Sequence, residues 1–264
     1  MSSLELGIAS DEISPDFKEA IHHGLAWGIK KYEIRVLKSG RIPQVDEKEV
    51  DEVCDLIKTN ELEITAVSPG IFKLPVSDES GLQHELDVLL PQTIEFAKRV
   101  GSSLIIVFGF KQDDTPLEEQ RDKAVGIVKK AAEIVAAANM TLAIENEPGF
   151  LCDTGENTAR FIERVDHPAV KSNWDPCNSF GTDELPFPDG YETVKKHIIN
   201  VHAKDTKLGG LVECLPLGEG VIDWPGQVKA LLRDQIVQHI TIETHCLPLI
   251  EQSEKNVRYL KNLL

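Results

Sequence analysis

The chain has 264 residues, of which 41% are hydrophobic and 27% are charged, a balance typical of a globular protein with its own core. Its 44 acidic residues outnumber its 28 basic residues, and the net charge of −16 argues against nucleic-acid partners, because their binding depends on a basic face. Five scattered cysteines without a C-x-x-C pair argue against a disulfide framework or a cysteine zinc site.

Short apolar or β-branched runs alternate with longer amphipathic stretches along the whole chain, and this alternation predicts βα units. Eight strands are predicted, at Leu4–Ala9, Lys31–Val36, Leu62–Val67, Leu104–Phe108, Thr141–Asn146, Val170–Trp174, Ile198–His202 and Ile240–Glu243. Each is followed by a helical pattern, at Pro15–Leu25, Asp46–Lys58, Leu86–Val100, Leu117–Ala138, Asn157–Val165, Tyr191–His197, Trp224–Arg233 and Glu251–Leu264. In the first helix, Ser14 is the expected N-cap and Pro15 the first helical residue.

Eight such units in a chain of this length predict an α/β protein that forms a closed (β/α)8 TIM barrel, with one domain over residues 1–264. The alternative is a doubly wound sheet, which commonly carries a glycine-rich phosphate turn after its first strand. Here that turn reads Ala9-Ser10-Asp11-Glu12-Ile13, so the barrel is favoured.

Four consecutive predicted strands end in residues that commonly bind metal ions. In a barrel the chemistry lies at the carboxyl ends of the strands, and strands five to eight end at Glu145, Asp175, His202 and Glu243. Three carboxylates on one rim repel one another unless a cation lies between them, so a divalent metal is expected. This donor set favours Mn2+ or Mg2+, Mn2+ first, with Co2+ and Zn2+ as further candidates. The alternative is that these acidic residues cap helices or face water.

Five segments, in order along the chain, also carry a family resemblance: Ala143-Ile-Glu-Asn-Glu-Pro-Gly, Asn173-Trp-Asp-Pro-Cys-Asn, Val201-His-Ala-Lys-Asp, Leu217-Gly-Glu-Gly-Val-Ile-Asp-Trp and Ile242-Glu-Thr-His. Together they resemble the sugar phosphate isomerase/epimerase family of xylose-isomerase-like TIM barrels, which includes ketose 3-epimerases and keto-inositol dehydratases. The resemblance spans nearly the whole chain and is strongest from about residue 140. It implies a metal held by the same four residues that the strand ends select.

The resemblance also implies an activity, a metal-dependent isomerase or epimerase that acts on a ketose or a related keto-sugar or polyol. A bound metal polarises the substrate carbonyl and favours the enediolate that forms on deprotonation. By the resemblance, Glu145 and Glu243 act as base and acid while also binding the metal. Because Gly218-Glu-Gly220 after the seventh strand is acidic, an unphosphorylated substrate is favoured.

Two departures from the epimerase pattern keep alternatives open. Asn178 stands where those epimerases commonly carry a histidine, and Lys204 and Lys207 stand near the position of a typical arginine. A keto-inositol-type dehydratase with the same metal site is the main alternative, and a non-catalytic sugar-binding barrel is a further one. An apurinic endonuclease is disfavoured, because its multinuclear zinc site requires additional clustered histidines.

Six polar residues near the strand ends are candidate substrate contacts: Asn178, Lys204, Glu147, His245, Arg35 and Glu12. For Arg35 the alternative is a structural ion pair with Glu33 or Glu12. Asp205 is expected to orient the His202 imidazole from behind, since a ligating imidazole usually donates its other N–H to an acceptor.

The expected partner is a small sugar or polyol, and the oligomeric state stays open, with a homo-oligomer compatible with the fold. The sequence contains neither a leader of basic and then apolar residues nor a run of about 18 apolar residues. We therefore expect a cytoplasmic protein that does not contact a membrane.

Overall fold

The computed structural model describes residues 4–207 and 210–264 and contains a closed barrel of eight parallel strands in sequential order. The strands are β1 (Glu5–Ala9), β2 (Lys31–Ile34), β3 (Glu63–Val67), β4 (Leu104–Phe108), β5 (Thr141–Glu145), β6 (Val170–Trp174), β7 (Ile198–Ala203) and β8 (His239–Ile242). β8 pairs in parallel with β1 and closes the ring. The predicted (β/α)8 barrel is confirmed.

Helices surround the barrel, one after each strand. They are α1 (Phe17–Ala26), α2 (Glu47–Asn60), α3 (Leu90–Val100), α4 (Leu117–Ala137), α5 (Gly155–Val165), α6 (Tyr191–Val194), α7 (Trp224–Asp234) and α8 (Leu249–Lys261). Further helical turns at Glu79–His84 and Glu85–Leu89 lead directly into α3. Within the part of the chain that the structure describes, no helix is both long enough and apolar enough to span a bilayer.

The first helix begins two residues later than predicted. Asp16, not Ser14, is the N-cap, because its carboxylate accepts a hydrogen bond from the Lys18 N–H. Ser14 instead accepts from the Asp16 N–H and donates its hydroxyl to Glu19.

Two loops at the carboxyl ends of the strands contain antiparallel hairpins that the sequence did not predict. After β2, Val36–Leu37 pairs with Gly40–Arg41, so β2 ends at Ile34 rather than at Val36. After β7, Asp205–Lys207 pairs with Gly210–Leu215. Both hairpins extend the rim that carries the candidate site.

The core shows why the strands are apolar on both faces. Along β4, Ile105 and Val107 belong to the large apolar cluster shared with the helices. Leu104 and Ile106 alternate with them and pack in a separate small cluster with alanines of the neighbouring strands, inside the barrel. Phe108 continues the register of Leu104 and Ile106 and lines the cavity at the rim.

Candidate metal centre and active site

The four predicted metal ligands come together at the carboxyl ends of β5 to β8. Glu145 is the last residue of β5, Asp175 and Glu243 directly follow β6 and β8, and His202 lies in β7 opposite Thr241. All four are buried, and each offers one ligand atom such that these atoms lie within 4.8 Å of one another. A buried cluster of three carboxylates and one imidazole could hold a divalent cation.

The His202 ring is oriented by hydrogen-bonding partners on both of its nitrogens. Its Nε2 lies 2.8 Å from Glu33 Oε2, an acceptor, and its Nδ1 lies 3.2 Å from the Asn173 amide nitrogen, a donor. The neutral ring therefore carries its proton on Nε2. Its Nδ1 is the nitrogen on the side of the cluster, 3.5 Å from Glu145 Oε1 and 3.6 Å from Glu243 Oε2. Burial opposes protonation, but Glu33 and the other carboxylates raise the pKa of His202 well above its ordinary value.

Asp175 presents one carboxylate oxygen to the cluster and uses the other structurally. Its Oδ1 accepts from the N–H groups of Cys177 and Asn178 and so caps the short helix Pro176–Ser179. Its Oδ2 is buried and accepts no hydrogen bond from the described residues, although Lys204 Nζ lies 2.9 Å away. As the oxygen not used for capping, it is the one that could bind a metal ion, in exchange for its contact with Lys204.

The backbone of Asp175 is held by a residue that sequence reasoning did not select. The Asn146 side chain accepts from the Asp175 N–H at 2.9 Å and donates to the Asp175 carbonyl at 2.7 Å. This pair of hydrogen bonds ties the end of β5 to the end of β6. Asn146 directly follows the first glutamate of the Glu-Asn-Glu segment, and this position is the signal that could have identified it.

Lys204 and Arg35 both contact the carboxylate of Glu243. Lys204 Nζ lies 2.9 Å from Glu243 Oε2 and 2.9 Å from Asp175 Oδ2, so it lies among the ligands rather than in an outer loop. Arg35 Nη1 contacts Glu243 Oε1, and its other nitrogens contact Asp11 and Glu12. Burial opposes ionisation of Glu243, but Lys204, His202 and Arg35 hold its pKa well below its ordinary value.

The remaining rim candidates line the same cavity. Glu12 accepts a hydrogen bond from the His245 backbone N–H at 2.7 Å and contacts the His245 imidazole. Burial opposes its ionisation, but Arg35 and His245 lower the pKa of Glu12 to about 2. Glu147 pairs with Lys73 at 3.2 Å, and burial raises its pKa. Asn178 donates to Glu145 Oε1 at 3.3 Å.

Asp205 does not reach His202, which corrects the prediction from the sequence. Its carboxylate accepts hydrogen bonds from four backbone N–H groups, those of Thr206, Gly218, Gly220 and Ile222. It therefore holds the loop that follows the second hairpin in place.

Glu33 takes the role expected of Asp205. Arg35 forms its ion pair with Glu12 and not with Glu33, whose Oε2 contacts His202 instead. The signal was present in the predicted strand Lys31–Val36, where the strand period places Glu33 and Arg35, two residues apart, on the same face.

A cavity of about 630 Å³ opens beside the cluster, within the range of roughly 300 to 1,000 Å³ typical of small-molecule sites. Among its lining residues are Glu12, Arg35, Arg41, Ser68, Lys73, Phe108, Glu145, Glu147, Asn178, Lys204, Glu243 and His245. All six candidate substrate contacts therefore border one cavity with two of the metal ligands.

Residues 24–263 match the family described as xylose isomerase-like TIM barrel. The chain belongs to this family. Its sequence is 23% identical over 144 residues to a 3-dehydroshikimate dehydratase from Bacillus anthracis, a match that spans 48% of this chain and 48% of that enzyme. The alignment thus spans about half the length of this curated relative.

Solved structures in the comparison share the fold at low sequence identity. A probable 3-DHS dehydratase from Bacillus anthracis superposes with a TM-score of 0.80 at 17% identity, over 98% of this chain and 99% of that one. A D-allulose 3-epimerase from Methylomonas sp., in complex with D-allulose, gives 0.80 at 17% identity over 100% and 98%. The IolI protein, with a zinc atom bound, gives 0.81 at 17% identity over 98% and 96%.

Proposed function

We propose that this member of the xylose isomerase-like family is a metal-dependent isomerase or epimerase of a ketose or a related keto-sugar or polyol. The observation that carries the proposal is the convergence of Glu145, Asp175, His202 and Glu243 within 4.8 Å beside a cavity of about 630 Å³. We further propose Mn2+ as the ion, with Mg2+, Co2+ and Zn2+ as alternatives. The zinc atom bound by the structurally similar IolI protein supports a divalent ion.

The four ligands would hold the ion, which when bound supplies a Lewis acid for the substrate carbonyl. Glu145 takes the proton from the carbon beside the carbonyl, and the electron pair of the broken C–H bond moves onto the carbonyl oxygen as an enediolate. In epimerisation a proton reaches the opposite face through Glu243, which first takes it from Lys204 Nζ, 2.9 Å from its Oε2. In isomerisation Glu145 instead returns its proton to the former carbonyl carbon, while the hydroxyl proton on the neighbouring carbon moves to the former carbonyl oxygen.

The surroundings of the two glutamates support this division. The polar neighbours of Glu145 are the Asn178 amide and the His202 ring, so its carboxylate has room to take up a proton. Glu243 has a cation on each oxygen, Arg35 and Lys204, which stabilise negative charge that develops nearby. Glu12, His245, Glu147 and Asn178 then position the hydroxyl groups of the substrate.

Solvent exchange tests the proposal. The Mn2+-loaded protein is incubated in D2O with a panel of ketoses and keto-inositols, and NMR follows deuterium at the carbon beside the carbonyl. Glu145→Gln is expected to lower the exchange rate at least 100-fold, since a general base contributes about 10²- to 10⁴-fold. Glu156→Gln, an exposed partner of Arg160 on α5, is the matched control and retains the rate.

Absence of exchange across the panel in a protein that has bound the metal would refute the enzymatic proposal and favour the sugar-binding barrel. Unchanged exchange in Glu145→Gln would remove Glu145 from the role of base. Circular dichroism of each variant verifies that the fold is retained.

A dehydratase is the second candidate, supported by the sequence match to 3-dehydroshikimate dehydratase. It shares the deprotonation step, after which a β-hydroxyl leaves as water with a proton from an acid, for which His245 or Glu147 is placed at the cavity. Mass spectrometry of the products with 3-dehydroshikimate and a keto-inositol distinguishes the two candidates. Loss of one water identifies the dehydratase, and a product whose mass changes only by the exchanged deuterium identifies the isomerase or epimerase.

A further inference from the structure

The cavity contains one cation that the rest of the site does not use. Of the four basic side chains that line it, Arg35 contacts Asp11, Glu12 and Glu243, Lys204 contacts Asp175 and Glu243, and Lys73 pairs with Glu147. Arg41 forms no ion pair with any carboxylate of residues 4–207 and 210–264. Its one hydrogen bond runs from Nη1 to the Ser68 carbonyl at 3.2 Å.

Arg41 lies on the side of the barrel opposite the candidate metal ligands. Arg41 ends the hairpin after β2, where it pairs with Val36, whereas the metal ligands come from β5 to β8. Its side chain lies over Gly70, whose φ of +84° is accessible to glycine; a Cβ there would be 3.4 Å from Arg41 Cδ. The Ser68 carbonyl and Gly70 therefore form a seat for the guanidinium at the wall of the cavity.

Arg41 is exposed at the rim of the cavity, and its guanidinium has no carboxylate within ion-pair distance among the described residues. An arginine keeps its charge at any physiological pH and prefers a planar, bidentate anion. One hydrogen bond to a carbonyl leaves most of its five N–H donors free for a ligand. The one positive charge of Arg41 would balance one negative charge on a ligand.

We propose that Arg41 determines substrate class by pairing with a carboxylate, so that the substrate is a keto-sugar acid rather than a neutral ketose. The inference rests on the proposed function. In that proposal the carbonyl end of the substrate lies at the metal ligands, and Arg41 would bind the other end of the same substrate. Bidentate pairing with a carboxylate also fixes the orientation of the substrate in the cavity.

Binding of unreactive analogues tests the proposal independently of catalysis. D-gluconate and sorbitol differ only in a carboxylate in place of a CH2OH group, and neither can enolise at a ketone. Isothermal titration of the Mn2+-loaded protein is expected to give gluconate at least tenfold tighter binding than sorbitol. Sorbitol 6-phosphate, the third ligand, is expected to bind more weakly than gluconate.

Two substitutions assign the preference to this side chain. Arg41→Gln is expected to remove the preference for gluconate while leaving sorbitol binding unchanged, and Arg41→Lys to retain part of it, because the charge remains and the planar fork is lost. Lys38→Gln is the control: it removes the same charge from the turn of the same hairpin, where Lys38 pairs with Asp16 outside the cavity, and it retains the full preference.

Equal affinities for gluconate and sorbitol, or no detectable binding of either, would overturn the proposal. Equal weakening of gluconate and sorbitol binding in Arg41→Gln would overturn it as well. Tighter binding of sorbitol 6-phosphate than of gluconate would assign Arg41 to a phosphate group instead. A D2O exchange assay with D-fructose and D-fructuronate distinguishes failure of the Arg41 assignment from failure of the proposed function. Failure of both substrates to exchange while gluconate is still preferred contradicts the proposed chemistry and leaves the Arg41 assignment intact.

Discussion

Glu33 is the residue whose removal best tests how the metal centre is held. It is fully buried, its Oε2 lies 2.8 Å from His202 Nε2, and its Oε1 accepts no hydrogen bond from the described residues. Of the two partners of the ring, Glu33 makes the shorter contact, 2.8 Å against 3.2 Å for Asn173, and it is the acceptor that fixes the proton on Nε2. Loss of such a partner behind a metal-binding histidine typically weakens metal affinity about 10- to 100-fold, which corresponds to about 1.4 to 2.7 kcal/mol.

The two substitutions at this position differ in what they remove. Glu33→Gln retains the volume and one acceptor oxygen, so we expect about a tenfold loss of Mn2+ affinity. Glu33→Ala also removes the acceptor and lets the ring rotate, and we expect a loss of about 100-fold. Isothermal titration with Mn2+ measures both, and urea unfolding of the metal-free proteins separates metal affinity from stability.

Glu63→Gln is the matched control. Glu63 lies at the start of β3 and pairs with Lys31 at the amino-terminal end of the barrel, far along the strand from the metal ligands. It should retain the affinity of the unsubstituted protein. If Glu33→Ala binds Mn2+ as tightly as this control, the inference that Glu33 orients His202 is refuted.

Two further predictions concern stability. Burial raises the pKa of Glu85 to about 7 from 4.5, so the folded protein binds this proton more tightly and loses up to about 3 kcal/mol of stability as pH rises from about 4.5 through 7. Glu85→Gln retains an acceptor for the Phe72 N–H, and Glu79→Gln is the exposed control. Urea unfolding at about pH 5 and pH 8 should show that the unfolding free energy of Glu85→Gln depends less on pH than that of the control. An equal dependence on pH in the two variants would contradict the assignment. Asp205→Asn leaves the N–H groups of Gly218 and Gly220, in the loop that follows the second hairpin, without their acceptor. The substitution is expected to lower the unfolding free energy by about 1 to 3 kcal/mol without weakening Mn2+ binding. A loss of Mn2+ affinity in that variant would instead support the orientation of His202 by Asp205.

The architecture and the four candidate ligands could be predicted because both follow from local patterns. A strand of a parallel barrel is buried on both faces, so its apolar run stands out from the amphipathic helices around it, as in β4. The carboxyl ends of consecutive parallel strands meet at one rim, so residues such as Glu145 and Asp175 converge. Asn146, directly after Glu145, accepts a hydrogen bond from the Asp175 N–H across 29 positions.

The hairpins and the helix start were harder to predict, because they depend on which of several polar side chains makes a particular hydrogen bond. Ser14 and Asp16 are both good caps by type, and only the carboxylate of Asp16 reaches the Lys18 N–H. Likewise, Ser39-Gly40 after β2 indicates a turn, but only the structure shows where β2 ends and that Arg41 returns beside Val36.

The sequence by itself determined the fold class, the family resemblance and the set of candidate ligands, since these depend on period, order and residue type. Tertiary structure alone decided the partner of each polar group. His202 contacts Glu33 across 169 positions, Asp205 accepts from backbone amides, and Arg41 has no carboxylate partner in the part of the chain that the structure describes. Hydrogen bonds and ion pairs are short-ranged and directional, so closure of the barrel selects among partners that residue type leaves equivalent.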